Sequence, residues 1–242
     1  MKAELSSLRV KLFSDGADTK TMIEMASKPY IKGLTTNPTL MKKAGVRNYR
    51  LFAREVLAEI RAKPISFEVF SDDLDEMKYQ ALEIASWAEN VYVKIPITNS
   101  KGVPTTEVIS YLSSSDVKLN ITAILTSIQV AEILPALNSK VSNYISVFAG
   151  RIADTGVDPL PIMRDCLNLI EANPMSELIW ASPRELLNIF QAEEIGCHII
   201  TATSDILSKL NLIGKDLTNY SLDTVKMFRN DAINSGFDFN EA

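Results

Sequence analysis

Residues 91–122, VYVKIPITNSKGVPTTEVISYLSSSDVKLNIT, contain one complete strand–helix–strand unit. Val91-Tyr92-Val93-Lys94-Ile95 is apolar and rich in β-branched and aromatic residues, and Pro96 closes it. Thr106–Leu112 has helical spacing of its apolar residues, and Lys118–Thr122 is a second strand-like run. Two strands joined by a helical crossover must run parallel. The same unit recurs along the chain. Strands are predicted at about Val10–Ser14, Gly33–Thr35, Ile65–Val69, Val91–Ile95, Lys118–Thr122, Tyr144–Val147, Leu178–Ala181 and His198–Thr201. Helices are predicted over Leu51–Ile60, Leu74–Ala88, Thr106–Leu112, Ser127–Leu137, Pro161–Glu171 and Pro183–Ile195. Ser127 and Asp205 have the chemistry of N-caps, and Pro159, Pro161 and Pro183 stand at or near helix starts, where a missing amide is harmless. Eight such units in about 200 residues fit a (β/α)8 barrel, with a doubly wound open sheet as the rival. No linker interrupts the pattern, so residues 1–242 are expected to form a single domain. The tail, Ser221–Ser235, continues as one more amphipathic helix through Leu222, Val225, Met227, Phe228 and Ile233. It has either the barrel or another subunit to cover, so a homo-oligomer is one expectation.

Composition narrows the function. The chain has 242 residues, 46% hydrophobic and 23% charged, with a net charge of −5. That balance leaves no global electrostatic footprint for nucleic acid or an acidic membrane surface. An anionic ligand needs a local cationic pocket. The two cysteines, Cys166 and Cys197, make no disulfide framework and have the character of small buried residues in a reducing compartment. No apolar run reaches membrane-spanning length, and Met1-Lys2-Ala3-Glu4 starts no secretion signal, so a cytoplasmic location is expected. The one histidine, His198, lies in a strand and is expected to be a packing residue, and no metal-ligand spacing or glycine-rich nucleotide loop occurs.

Lys94 is the anomaly within the opening stretch. An ammonium is costly to desolvate and rarely sits inside an apolar strand, unless its stem lets it snorkel from an edge. In an α/β barrel catalytic groups come from the C-terminal ends of several strands. Read there, the chain offers Ser14-Asp15-Gly16, Thr35-Thr36-Asn37-Pro38-Thr39, Phe67-Glu68-Val69, Lys94, Asn120-Ile121-Thr122, Ser146-Val147-Phe148-Ala149-Gly150-Arg151 and Ala181-Ser182-Pro183-Arg184. Singly, Asp15 is an ordinary cap, Glu68 an ordinary ion-pair partner, and Arg151 or Arg184 a solvated cation. Together they outline one cup holding two carboxylates, an amine, hydroxyls, amides and two guanidinium groups.

That set has a chemistry. A desolvated lysine amine can attack a ketone and form an imine, whose protonated form accepts electrons from a breaking carbon–carbon bond. A neighbouring carboxylate can remove and return protons. The arginine forks match phosphate oxygens, and Ser182, placed ahead of a helix opened by Pro183, is expected near a helix N-terminus that favours anions.

At these residues the chain resembles the transaldolases, from about Val10 to the C-terminal helix. The resemblance rests on Thr35-Thr36-Asn37-Pro38-Thr39-Leu40, Val93-Lys94-Ile95-Pro96, Phe148-Ala149-Gly150-Arg151 and Ala181-Ser182-Pro183-Arg184, four pieces in order at the right strand ends. It implies that Lys94 is the Schiff-base lysine and Asp15 the proton shuttle, with Glu68 and Thr122 activating a water. It further implies that Thr35, Asn37, Asn120, Ser146 and Phe148 contact the ketose, and that Arg151, Ser182 and Arg184 hold phosphate. The implied activity moves a dihydroxyacetone unit from fructose 6-phosphate or sedoheptulose 7-phosphate to an aldose phosphate, in the pentose phosphate pathway and without a cofactor. A related branch of shorter aldolases cleaves fructose 6-phosphate or uses free dihydroxyacetone. This chain is short like that branch, but that branch typically carries glutamine at the position of Glu68 and tyrosine at that of Phe148. The pocket therefore sides with the transferase. A non-catalytic sugar-phosphate-binding barrel is the third reading, and it sits poorly with a complete set of reactive groups.

Overall fold

The computed structural model describes residues 7–237. Eight parallel strands close into a barrel in sequence order: β1 Lys11–Asp15, β2 Ile31–Thr35, β3 Ile65–Glu68, β4 Val91–Pro96, β5 Leu119–Ile124, β6 Asn143–Val147, β7 Ser176–Trp180 and β8 Ile199–Thr203. β8 returns to pair with β1, Phe13 lying beside Thr201, so the ring has no open edge. The helices are α1 Thr19–Ser27, α2 Pro38–Lys43, α3 Tyr49–Glu59, α4 Leu74–Ala85, α5 Thr106–Ser114, α6 Ser127–Ile133, α7 Ala149–Asp154, α8 Pro159–Ile170, α9 Leu187–Glu194, α10 Ser204–Ser208 and α11 Leu217–Asn234. This is the expected (β/α)8 barrel, and the open-sheet alternative falls with the closing β1–β8 pair. Met1-Lys2-Ala3-Glu4, read above for secretion, lies outside the described residues.

Strand alternation divides the apolar side chains into two cores. One lies between barrel and helices and holds Ile31, Leu34, Phe67, Val93, Ile95, Ile121 and Trp180. The other fills the barrel interior with Phe13, Tyr92, Tyr144, Ile179 and Ile199. Tyr92 and Tyr144 stack with ring centroids 4.0 Å apart, and Phe13 meets Tyr144 edge-on at 5.7 Å. Gly33 makes this plug possible, since a Cβ there would come within 2.4 Å of the Phe13 ring. The aromatic plug closes the lower barrel and leaves the polar residues to the C-terminal rim.

Local details depart from the sequence reading. Thr126, not Ser127, caps α6, through a reciprocal capping box with Gln129. Thr203 precedes α10, and Asp205 sits inside its first turn, accepting from the Thr203 hydroxyl. Pro159 does open α8, capped by Asp158. Pro183 opens no helix. The Asn188 side chain accepts from the amides of Arg184 and Glu185, at 2.8 and 3.1 Å, and α9 begins only at Leu187. Ser182 therefore lies in an irregular turn with φ +59°, not at a helix N-terminus. α11 begins at Leu217 behind the cap Asp216, and none of its side chains is buried. It does not cover the barrel, which removes one of the two roles expected for it. Among the described residues, no helix is long and apolar enough to cross a membrane.

Candidate active site

Lys94 points from β4 into the barrel mouth, its side chain 7% exposed. In register it stands between Glu68 on β3 and Asn120 on β5. Its Nζ lies 3.1 Å from Glu68 Oε2 and donates to the Thr36 carbonyl at 2.8 Å. A buried ammonium is tolerable only with such partners, because their attraction offsets lost hydration. Glu68 is itself held: the Tyr49 hydroxyl accepts from its amide at 2.8 Å and donates to its carbonyl at 3.0 Å.

Asp15 ends β1 and is held by two donors. Thr35 Oγ1 donates to Oδ1 at 2.8 Å, and Asn37 Nδ2 donates to Oδ2 at 3.3 Å. The amide oxygen of Asn37 is spent on capping α2, where it accepts from Leu40 N at 3.0 Å, so its NH2 group is fixed towards Asp15. Burial raises the Asp15 carboxyl above its ordinary range; Lys94 and the Thr35 bond pull it down, Glu68 pushes it up, and Asn37 pulls it down. Burial is the largest of these influences, so the carboxyl keeps its proton to a higher pH than an ordinary aspartate does.

Beneath these groups lies a second polar layer. Asn120 donates to Ser66 Oγ at 2.9 Å and accepts from Ser146 Oγ at 2.8 Å. Thr122 Oγ1 is buried and has no hydrogen-bond partner among the described residues. A buried hydroxyl in that condition is costly unless a reactant or water engages it. The next residue, Ala123, has φ +62°, a left-handed conformation costing an L-residue about 1–2 kcal/mol. Strain of this kind concentrates at functional sites.

The cationic side is built by α7 and the turn after β7. Arg151 lies over the Phe148 ring at 5.7 Å. Arg184 presents Nε and Nη2 to both oxygens of Asp154, the Nε bond being 2.9 Å. Gly150 is obligatory here, because a Cβ would fall 1.6 Å from the Ser182 carbonyl oxygen and 3.3 Å from Arg184 Nε. α7 can thus press against the 181–184 turn and bring Arg151 and Arg184 to one rim.

A cavity of about 390 Å³ joins both sides. Its wall includes Asp15, Thr35, Asn37, Glu68, Lys94 and Thr122, then Ser146, Phe148, Arg151, Ser182 and Arg184. Of the residues proposed from sequence, Asn120 alone is not on that wall; it lies below, bonded to Ser66 and Ser146. Four contributors escaped the sequence reading: Thr201 on the wall, the Thr36 carbonyl, Ser66, and Asp154 beside Arg184. Three other depressions are larger: 950 Å³ around Arg50, Arg54 and Trp87, 820 Å³ around Arg9, Lys11 and Tyr30, and 410 Å³ around Met41, Lys42 and Phe70. The first two lie away from the C-terminal strand ends, and none of the three brings a lysine amine against paired carboxylates as this cavity does.

Other reactive residues are accounted for by packing. Burial pushes the Cys166 and Cys197 thiols up to about 12, which leaves them protonated and unreactive. His198 lies just before β8 rather than in it, and is partly buried, accepting from the Leu178 amide at 3.3 Å. Among the described residues no three His, Cys, Asp or Glu side chains converge to hold a metal.

Comparison with known proteins points the same way. A family model described as transaldolase/fructose-6-phosphate aldolase matches residues 12–241. A Streptococcus agalactiae serotype V protein named "Probable transaldolase" is 35% identical over 202 residues, covering 83% of this chain and 89% of that one. A Thermoanaerobacter protein of the same name is 32% identical over 218 residues, covering 90% and 95%. A crystal structure of a protein assigned to the dihydrodipicolinate synthase family, from Coccidioides immitis, superposes with a TM-score of 0.58 at 11% identity. It covers 80% of this chain and 67% of that one, a likeness of fold alone.

Proposed function

The chain belongs to the transaldolase/fructose-6-phosphate aldolase family, and within it we propose a transaldolase that moves a dihydroxyacetone unit between sugar phosphates on Lys94. The observation that carries this is the buried Lys94 amine, 3.1 Å from the Glu68 carboxylate, in one cavity with Asp15. The neutral amine attacks the C2 ketone of the donor. Glu68 takes up and returns the protons of imine formation, and a water held between it and Thr122 is the one released and later re-added. Once the imine is protonated, the C4 hydroxyl gives its proton to Asp15 and the C3–C4 bond breaks. Its electron pair flows to the iminium nitrogen, leaving an enamine on Lys94 and releasing an aldose phosphate. An incoming aldose phosphate reverses each step. The set suffices without a cofactor, and the polar layer of Asn120 and Ser146 is suited to the ketose hydroxyls.

Arg151, Arg184 and Ser182 are proposed to hold the phosphate of donor and acceptor. Asp154 already fixes the plane of the Arg184 fork, so Nη1 and one Nη2 proton remain for an anion. Arg184→Ala should lower kcat/KM for phosphorylated acceptors about ten- to a hundredfold, the loss of one charge-assisted pair worth about 1.5–3 kcal/mol. Acceptors without phosphate, such as glyceraldehyde, should lose much less. Equal losses on both would remove Arg184 from the phosphate site.

Transfer demands that the enamine survive until an acceptor arrives, and aldolase activity demands that water protonate it. Phe148 gives the cavity wall no hydroxyl with which to place such a water. Fructose 6-phosphate alone should therefore release little free dihydroxyacetone. Adding erythrose 4-phosphate should start rapid formation of sedoheptulose 7-phosphate. Phe148→Tyr should raise dihydroxyacetone release severalfold. Rapid release by the unmodified enzyme without acceptor would make it an aldolase.

The whole chain is proposed to act as one cytoplasmic domain that assembles with copies of itself. α11 leaves Leu217, Val225 and Phe228 exposed by 80, 60 and 64%, and an isolated helix with such a face is marginal in water. A second copy would bury it. In sedimentation velocity the protein should run as an oligomer, and Val225→Asp with Phe228→Asp should dissociate it. A monomer at micromolar concentration would rule this out.

A further inference from the structure

We propose that Thr201 is a positioning residue for the proton transfer, acting on Asp15 through Thr35; the inference rests on the role given to Asp15 above. Thr201 lies on the barrel-facing side of β8, one layer above Ile199, and Thr35 ends β2. Both strands flank β1, and the small Gly33 and the inward Phe13 leave the two hydroxyls facing each other above the aromatic plug. Their Oγ1 atoms are 2.5 Å apart and buried. Thr35 Oγ1 also lies 2.8 Å from Asp15 Oδ1.

The direction of this chain follows from counting protons. An ionised carboxylate can only accept, and the Thr35 hydroxyl has one proton to give. That proton goes to Asp15, so the bond between the threonines must be donated by Thr201. Thr201 thereby fixes the Thr35 rotor and polarises it into a stronger donor. Asp15 Oδ1 is held by this short relay, whereas Oδ2 has only the 3.3 Å bond from Asn37. Oδ2 is thus the oxygen left to take the proton of the C4 hydroxyl, and the relay sets the plane in which it is presented. Thr201 is on the cavity wall, yet its hydroxyl is turned to Thr35 and so supports the machinery without contacting the ketose.

Thr201→Val replaces the hydroxyl by a methyl of similar size, abolishing the bond to Thr35. It should lower kcat for transfer from fructose 6-phosphate to erythrose 4-phosphate about tenfold, with KM changed less than about threefold. The acid limb of the pH–rate profile should move upward. The charged groups facing Asp15 are Lys94 and Glu68, and neither is altered. Borohydride trapping of the donor on Lys94 should be undiminished, and Thr201→Ser should restore most of kcat. The deciding comparison is a double-mutant cycle. On a Thr35→Val background, Thr201→Val should cost nothing further. Additive losses, a raised KM with unchanged kcat, or full activity in Thr201→Val would overturn the inference. If the unmodified enzyme traps no adduct on Lys94, the functional reading falls and this inference falls with it. An adduct together with additive losses removes the inference alone.

Discussion

Lys94→Ala is expected to lower kcat/KM for ketose phosphates by more than about 10⁴-fold, because it removes the group that becomes covalently bonded to substrate. Lys94→Arg should be equally inactive, since a guanidinium does not lose its proton in a protein and cannot attack a carbonyl. The alanine variant also leaves Glu68 without its 3.1 Å partner in a mostly buried place, which destabilises the fold. Lys94→Met restores the buried volume but not the charge, so its folding is checked by thermal melting before its activity is read. A folded Lys94→Met that retains even a few per cent of activity would remove Lys94 from the mechanism.

Asp15→Asn should lower kcat about 10²–10⁴-fold, the range for a positioned general base. Imine formation, which draws on Glu68, should persist, so donor should still be trapped on Lys94 while no aldose is released. The same substitution should stabilise the protein near pH 7. Burial raises the folded-state pKa of Asp15 above its ordinary value, so the native state binds this proton more tightly than the unfolded chain does. The stability contributed by that difference is fully present below the unfolded pKa, about 3.9, and is lost as pH rises through the folded one. At neutral pH the ionised carboxylate is a burden that asparagine lifts, and the Tm gain should shrink as pH falls towards 4. The activity of the unmodified enzyme should correspondingly disappear on the acid side at a higher pH than an ordinary carboxylate gives. A Tm lowered at pH 7, or an unchanged rate of cleavage, would contradict the role assigned to Asp15.

Much of this was legible in the sequence because the barrel repeats one physical pattern. Each strand is an apolar run of four to six residues, and each long helix carries an apolar stripe, as in α3 and α8. Short helices lack that periodicity: α2 and α7, of 6 residues each, and the nine-residue α1 were not foreseen, and α10, of 5 residues, was signalled only by Asp205 as a cap. α2 and α7 are nonetheless the ones that bring Asn37 and Arg151 to the site. Residues with anomalous chemistry for a buried strand, such as Lys94 and Glu68, announced themselves. Thr201 did not, because threonine is an ordinary strand residue; only the closing register of β8 on β1 sets it against Thr35. Asp154 was silent for a similar reason, being one acid among many until α7 turns it to Arg184. Ser182 was misjudged because Pro183 suggests a helix start, whereas the Asn188 side chain satisfies the amides that such a helix would have left open.

The covalent intermediate is the claim from which the rest descends. The enzyme should be mixed with fructose 6-phosphate, reduced with borohydride, and digested for peptide mass mapping. A sugar-derived adduct is expected on the peptide containing Lys94 and on no other lysine, and adding erythrose 4-phosphate before the borohydride should diminish its three-carbon form. An adduct on a different lysine, or none at all while transfer proceeds, would contradict the mechanism.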